Sequence, residues 1–169
     1  MDFPPSVTRG FADRRGSVLH TNAGTLINVD HGKFILILKN IEGEVGYCVI
    51  NSDRYSFDPE SKVEIDAKDQ PVITKDDCPA LSKPKSYVNC ANVGIIGETE
   101  LKAKIDSKEF QYVGSVNAET MLVILAKGQA CDVLKPFQKR FFEPRRLLIR
   151  YKDSKVFVQC LVCSLCYCS

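Results

Sequence analysis

The segment INVDHGKFILIL, residues 27–38, places two apolar runs on either side of Asp30, His31, Gly32 and Lys33. The second run, residues 34–38, is apolar at every position, which predicts a strand buried on both faces. Gly32 favours a tight turn, because glycine adopts positive φ without strain. We therefore expect a β-hairpin whose strands are residues 25–29 and 34–38.

Further runs rich in β-branched and aromatic residues follow at 46–50, 62–65, 86–93 and 111–115, and turn residues separate them. Asn117 can cap a helix with one broad apolar face, and Gly128 can end that helix. Pro136 suits the start of a short second helix. Residues 101–110 fit either a strand or a helix. The pattern predicts a mainly β protein with one or two helices, an α+β fold built on a small antiparallel barrel.

The chain of 169 residues is long enough for one domain with a core, and its length does not demand two. Residues 1–22 lack periodicity and contain two prolines and two glycines, so we expect an irregular N-terminal extension. The barrel domain is expected over residues 23–142. Residues 143–169 form a C-terminal segment that is first basic and then rich in cysteine. Its sequence is compatible with either a late strand or a loose tail.

Lys and Arg total 23 against 21 Asp and Glu, so net charge alone predicts no polyanionic partner. The first 20 residues contain three arginines but no continuous apolar core of a signal peptide, which favours a cytoplasmic location. The apolar stretch at residues 156–168 is shorter than the roughly 20 residues that a membrane helix needs. We expect no membrane span and no membrane partner.

The eight cysteines are expected to be reduced thiols, because disulfides need an oxidising compartment. Cys48 and Cys90 lie in strand-like runs, where a thiol packs as a small apolar group. Four more form the cluster Cys160-x2-Cys163-x2-Cys166-x-Cys168. Thiolates at close spacing suit zinc or an iron–sulfur cluster, but four ligands within nine residues leave too little chain to close a tetrahedron. The pattern favours a hydrophobic C-terminal segment, with no metal and no other cofactor.

Two groups of residues suggest chemistry. His31 titrates near neutrality and Lys33 is a fixed cation beside it, so the pair can move a proton and hold a phosphate. The alternative is a pair of exposed turn residues. A later basic stretch with interleaved phenylalanines can bind a nucleic-acid backbone and stack bases. Its cations are Lys135, Lys139, Arg140, Arg145, Arg146 and Arg150. The alternative there, somewhat favoured, is a solvated helix face with its phenylalanines in the core.

The order of the elements resembles the PemK-like (MazF-like) superfamily of SH3-like barrels, which includes endoribonuclease toxins. The resemblance is carried by GTLINVDHGKFILIL (24–38), GEVGYCVINSD (43–53), DDCPALSKPKSYVNCANV (76–93) and SVNAETMLVILAKG (115–128) with PFQKRFF (136–142). It implies an SH3-like barrel over residues 24–142, single-stranded RNA as the ligand and an antitoxin as the protein partner. Toxins of this superfamily are often dimers, so it also implies a homodimer.

In those toxins, an Arg in an early loop and a Ser or Thr on a later strand act on the RNA phosphate without a metal. The resemblance makes His31, Lys33 and Arg54 the candidates for the proton or charge. Ser52 and Ser86 are the candidates for phosphate contact. No Arg-Arg-Pro-like turn precedes residues 47–50, and residues 77–79 read Asp-Cys-Pro where related proteins carry Asp-His-Pro.

Two functions therefore stay open. One is cleavage of RNA by a metal-independent endoribonuclease, which the late basic cluster favours. The other is a non-catalytic protein-binding module of prophage or accessory origin, which the missing Arg motif favours. The chain contains no Walker loop, dinucleotide glycine pattern, His-Glu-x-x-His or Gly-x-Ser-x-Gly motif, which argues against the common nucleotide-binding, zinc-protease and hydrolase classes.

Overall fold

The computed structural model describes residues 12–22, 32–54, 57–58, 63–64, 69–144, 146–151 and 154–159. Their strands are β1 (Ser17–Thr21), β2 (Phe34–Ile41), β3 (Glu44–Asn51), β4 (Phe57–Asp58), β5 (Val63–Glu64), β6 (Val72–Thr74), β7 (Lys85–Gly97), β8 (Phe110–Ser115), β9 (Arg146–Tyr151) and β10 (Ser154–Gln159). The helices are α1 (Glu98–Asp106), α2 (Ala118–Ala130) and α3 (Pro136–Lys139), and a 3₁₀ turn (Arg140–Phe142) follows α3.

Six of the strands form one antiparallel sheet in the order β6-β7-β3-β2-β1-β8. The sheet curls into a half-barrel, so that residues following its two edge strands meet. The Asn117 amide, just after β8, donates to the Asp77 carbonyl, just after β6, at 3.2 Å. The prediction of a mainly β protein with an antiparallel sheet is confirmed, whereas the described residues form three helices where one or two were predicted.

Strand β2 contributes side chains to two hydrophobic clusters, one on each face of the sheet. Ile35, Leu36, Ile37 and Leu38 are all fully buried. Leu36 and Leu38 belong to an inner cluster on the concave face, while Ile35 and Ile37 belong to an outer cluster on the other face. This alternation confirms the prediction of a strand buried on both faces, because successive side chains of a strand point to opposite sides.

A helix covers each face of the sheet. On the outer face, Leu101 and Ile105 of α1 pack into the outer cluster. On the inner face, Ile124 of α2 packs in the inner cluster with Phe141 and Phe142 of the 3₁₀ turn. Residues 101–110, which fitted strand or helix, divide between the end of α1 and the first residue of β8.

Several local predictions at turns and caps are confirmed. The Asn117 side chain accepts a hydrogen bond from the Thr120 amide at 2.9 Å and caps α2. Pro136 begins α3. Glu42 and Gly43 both have positive φ, 54° and 87°, as a two-residue hairpin turn of type I′ requires.

The expectation of irregular structure up to residue 22 is wrong for β1. This strand lies between β2 and β8, where Val18 and Leu19 are fully buried on opposite faces. A segment of five residues is too short to show a clear strand periodicity. Pairing with the neighbouring strands therefore decides its structure. The hairpin strand expected at residues 25–29 lies outside the described residues, and β1 is the strand that pairs with β2 along residues 34–36.

Residues 146–151 and 154–159 form the antiparallel pair β9–β10, so a late strand is present there, while the Cys160–Cys168 cluster lies outside the described residues. In the part of the chain that the structure covers, no helix has the length and apolar character to cross a membrane.

The expectation that Gly128 ends α2 is also wrong, because the helix continues to Ala130. Gly128 faces the buried Phe142 ring, and a Cβ on this glycine would lie only 2.1 Å from Phe142 Cδ1. Glycine is therefore required at this helical position by close packing and not by helix termination.

Replacing Gly128 with alanine should consequently destabilise the protein by about 1–3 kcal/mol, as overpacking does. Helix propensity alone would predict the opposite sign, a gain of about 1 kcal/mol. Urea unfolding of Gly128→Ala measures the difference. Gly97→Ala is the control, because nothing lies within 4 Å of a Cβ there, and it should cost less than about 1 kcal/mol. A stabilised Gly128→Ala variant would contradict the packing described.

Asp77 joins the turn after β6 to the start of α2. Its carboxylate accepts hydrogen bonds from the Thr74 amide at 2.7 Å, the Thr74 hydroxyl at 2.8 Å, Asn117 Nδ2 at 2.9 Å and the Thr120 hydroxyl. Burial raises the pKa of Asp77, but the hydrogen bonds from Thr120, Thr74 and Asn117 outweigh burial and hold this pKa below its ordinary value of 3.8.

A lowered folded-state pKa means that Asp77 stabilises the fold above pH 3.8 and loses this contribution as the pH falls through the folded-state pKa. Asp77→Ala should cost about 1–3 kcal/mol at pH 7, and the cost should shrink below pH 3.8. Urea unfolding at pH 7 and at pH 3 measures both values. The exposed neighbour Asp76 supplies the control variant Asp76→Ala, which should change stability little at either pH. A pH-independent cost at Asp77 would contradict this role.

Candidate nucleic-acid interface

One end of the sheet carries a row of side chains that crosses five strands on the outer face. The register pairs Phe34 with Ile50, which sets Lys33 beside Asn51, and it pairs Asn51 with Tyr87. Residues opposite each other in antiparallel strands share a face. The row, called the Lys33 row below, consists of Thr21, Lys33, Asn51, Tyr87 and Val72.

Lys33 is held in place from two sides. Its amide donates to Thr21 Oγ1 at 3.1 Å, and its carbonyl accepts from the Thr21 amide at 2.7 Å. Its half-buried ammonium donates to Asn51 Oδ1 at 3.4 Å, and Asn51 is only 4% exposed. Among the described residues, no carboxylate forms an ion pair with Lys33.

Arg54 lies next to the row on the exposed turn that follows β3. Its Cζ lies 5.1 Å from the centroid of the Tyr87 ring, within the range of a cation–π contact. Ser52 and Asp53 are exposed on the same turn. Within the described ranges no carboxylate forms an ion pair with Arg54. Two predicted residues, Lys33 and Arg54, therefore stand on either side of the Asn51–Tyr87 pair.

Gly32 allows the loop before β2 to pass close to β1. The prediction that this glycine is needed for a positive φ is wrong. Gly32 is not among the glycines with positive φ. A Cβ at this position would instead lie 2.6 Å from the Thr21 carbonyl oxygen and 2.8 Å from His20 Nε2. The glycine is needed because the loop passes directly against β1.

His20 is a half-buried residue that the sequence reasoning missed, because residues 1–22 were expected to be irregular. Its ring centroid lies 5.0 Å from that of Phe34. His20 alternates with Leu19 and so faces the inner side, opposite to the Lys33 row. In SVLHT two apolar residues are adjacent, so the segment has no alternating pattern that could have indicated this strand or His20.

The other predicted residues lie elsewhere or outside the described part. His31 and Arg145 are outside it, and Arg146 begins β9. Ser86 is only 5% exposed and pairs with Ile73 of the inner cluster, so it does not face the Lys33 row.

Lys135, Lys139 and Arg140 lie on α3 and at its ends, away from the Lys33 row. The ring of Phe141 packs against Gly46, whose partner in the sheet is Lys39. Lys33 and Lys39 are six residues apart along β2, which corresponds to about 20 Å. The predicted cations are thus divided between two ends of the sheet.

The buried thiols do not contribute a reactive group. Cys48, Cys78, Cys90 and Cys131 are free and buried, which confirms the prediction of core thiols for Cys48 and Cys90. Burial raises the pKa of Cys131 to about 11 and also raises that of Cys78. These two thiols are protonated near neutrality and are poor nucleophiles. Within the described residues no group of three His, Cys, Asp or Glu side chains could hold a metal ion.

The Lys33 row and Arg54 together present two cations, an aromatic ring and a side-chain amide. Cations of this kind attract a phosphodiester, and an aromatic or guanidinium plane stacks with a base. The row contains no carboxylate and no histidine. It is therefore a candidate nucleic-acid interface.

No family model matches the chain, and no curated protein matches it.

Because Gly32 holds Lys33 against β1, Gly32→Ala should push the loop away from Thr21 and cost about 1–3 kcal/mol of stability. Hydrogen exchange of the Thr21 amide, which donates to Lys33, should accelerate in this variant. Gly43→Asn is the control, since Gly43 has open space around it and asparagine tolerates its φ of +87°. Unchanged exchange in Gly32→Ala would show that the loop is not held in this way.

Proposed function

We propose that the protein binds single-stranded RNA through the Lys33 row and Arg54. The observation that supports this most is the convergence of Lys33 and Arg54, 21 residues apart in sequence, on the Asn51–Tyr87 pair. Neither cation has a carboxylate partner among the described residues. Two cations beside an aromatic ring suit a ligand that has both phosphates and flat bases.

The two cations have different tasks in this proposal. Lys33 is fixed by Thr21 and Asn51, so it loses little conformational freedom when it meets a phosphate. Arg54 is exposed and rests on Tyr87, so its guanidinium plane can stack with a base while it keeps its charge. Bases inside a duplex are already stacked and offer no free face, which favours a single strand.

The resemblance to PemK-like barrels supports RNA as the ligand, and we extend the proposal to an SH3-like barrel of that superfamily. Cleavage of RNA by transesterification needs a base to accept the 2′-hydroxyl proton. The Lys33 row has none, and the early Arg motif of the toxins is missing from the sequence. We therefore assign the protein as an RNA-binding relative of the toxins that does not cleave its ligand.

Neutralising either cation should weaken binding of a labelled 20-nucleotide RNA about tenfold, because each removes a charged contact to a phosphate. Fluorescence anisotropy at several salt concentrations measures the affinity of Lys33→Gln and Arg54→Gln. The dependence of log K on log salt should also become less steep by about 0.7 for each lost phosphate contact. Lys102→Gln is the matched control, because Lys102 is already paired with Glu98.

Equal affinity of all three variants and the unaltered protein would place RNA binding elsewhere, and absence of binding at low salt would end the proposal. Incubation of the protein with RNA in chelator should give no fragments. Fragments ending in a cyclic phosphate, produced by the unaltered protein and lost in His31→Ala, would instead make the protein an endoribonuclease with His31 as its base.

A further inference from the structure

Phe137 differs from the two other phenylalanines of the basic stretch. Phe141 and Phe142 are 2% and 0% exposed and belong to the inner cluster. Phe137, on α3, is 49% exposed. The expectation of phenylalanines in the core is therefore confirmed for the last two and wrong for Phe137. The position of Phe137 needs another reason, because a large exposed ring contributes little to folding.

The turn that carries Phe137 is anchored on both sides. Gln138 Oε1 accepts from the Lys135 amide at 3.0 Å and closes the start of α3. Gln129 Nε2, on α2, donates to the Lys139 carbonyl at 2.7 Å. The buried Phe141 and Phe142 follow directly. The ring is therefore presented by a fixed backbone, so that binding a flat ligand requires little ordering.

The residues next to Phe137 in the sequence include three cations. Lys135, Lys139 and Arg140 flank Phe137 within four residues, and Lys135 and Arg140 are exposed. Glu143, the next carboxylate along the chain, forms an ion pair with Lys39 at 3.8 Å. Among the described residues no carboxylate pairs with the three cations. A partner of this surface should therefore be both anionic and able to stack.

We propose that Phe137, Lys135, Lys139 and Arg140, the Phe137 surface, form a second contact for single-stranded RNA, with one base stacked on the Phe137 ring. This inference rests on the proposed function, namely that the chain binds RNA at all. Charge complementarity favours a nucleic acid over an apolar protein segment, because three cations lie within three residues of Phe137 in the sequence and would be costly to desolvate against an apolar partner. Single strands suit the ring, since their bases have free faces.

The two surfaces set a minimum length for the RNA. The Lys33 row lies on the outer face of the sheet, whereas the 3₁₀ turn that follows α3 packs on the inner face, about 20 Å away along β2. A stacked strand, at 3.4 Å per nucleotide, needs about six nucleotides to cover this distance along β2, and further nucleotides to pass from one face of the sheet to the other. A longer strand can occupy both surfaces, and the second contact then raises the affinity as an intramolecular event. Shorter strands can occupy only one surface at a time.

The chain contains no tryptophan, so Phe137→Trp introduces a single indole reporter at the proposed stacking position. Titration with a 20-nucleotide RNA should quench its fluorescence over the concentration range in which anisotropy shows binding. Val123→Trp is the control, because Val123 is equally exposed, at 48%, on α2, and its indole should not be quenched. Phe137→Ala should weaken binding of the 20-nucleotide RNA at least about fivefold. The same variant should leave the affinity for inorganic polyphosphate, which has no bases, unchanged.

Failure of this inference is distinguishable from failure of the proposed function. If RNA binding depends on Lys33 and Arg54 but saturating RNA leaves Phe137→Trp unquenched, the Phe137 surface is not a contact. Equal loss of RNA and polyphosphate affinity in Phe137→Ala would also overturn base stacking. If the unaltered protein binds no RNA, both proposals fail together.

Discussion

Burial of strand β2 on both faces is the constraint on which the rest of the structure depends. Because Ile35 and Ile37 face α1 while Leu36 and Leu38 face α2 and the 3₁₀ turn, the strand must lie in the interior of a sheet that is covered on each side. Its neighbours then follow, with β3 joined by a two-residue turn and β1 paired along the other side. Lys33 directly precedes this strand, so the same constraint fixes where the candidate interface begins.

Much of this arrangement could be predicted from local sequence patterns. The apolar run at residues 34–38, the Asn117 cap and the start of α3 at Pro136 each depend on a few adjacent residues. Predictions failed where the cause lies far away in the chain. Gly128 is a glycine because Phe142 fills the space of its Cβ, and the strand at Ser17–Thr21 exists because β2 and β8 pair with it. No local pattern contains that information.

At the candidate site, too, single residues could be predicted from local sequence, whereas their arrangement depends on distant parts of the chain. Sequence reasoning selected Lys33 and Arg54 individually, but their convergence on Asn51 and Tyr87 follows from the β3–β7 register. It grouped the late cations with three phenylalanines, whereas the fold buries Phe141 and Phe142 and leaves Phe137 exposed. The two proposed binding surfaces, near the two ends of β2, suit an extended ligand. In our proposal this ligand is a single strand of nucleic acid.

The claim that the Lys33 row binds RNA is tested most directly by following backbone amide resonances during titration with a short single-stranded RNA. The account predicts that the largest shifts occur at Thr21, Lys33, Asn51 and Tyr87, with little change along α1, whose lysines are paired with glutamates. Shifts confined to α1, or a spectrum unchanged at saturating RNA, would contradict it.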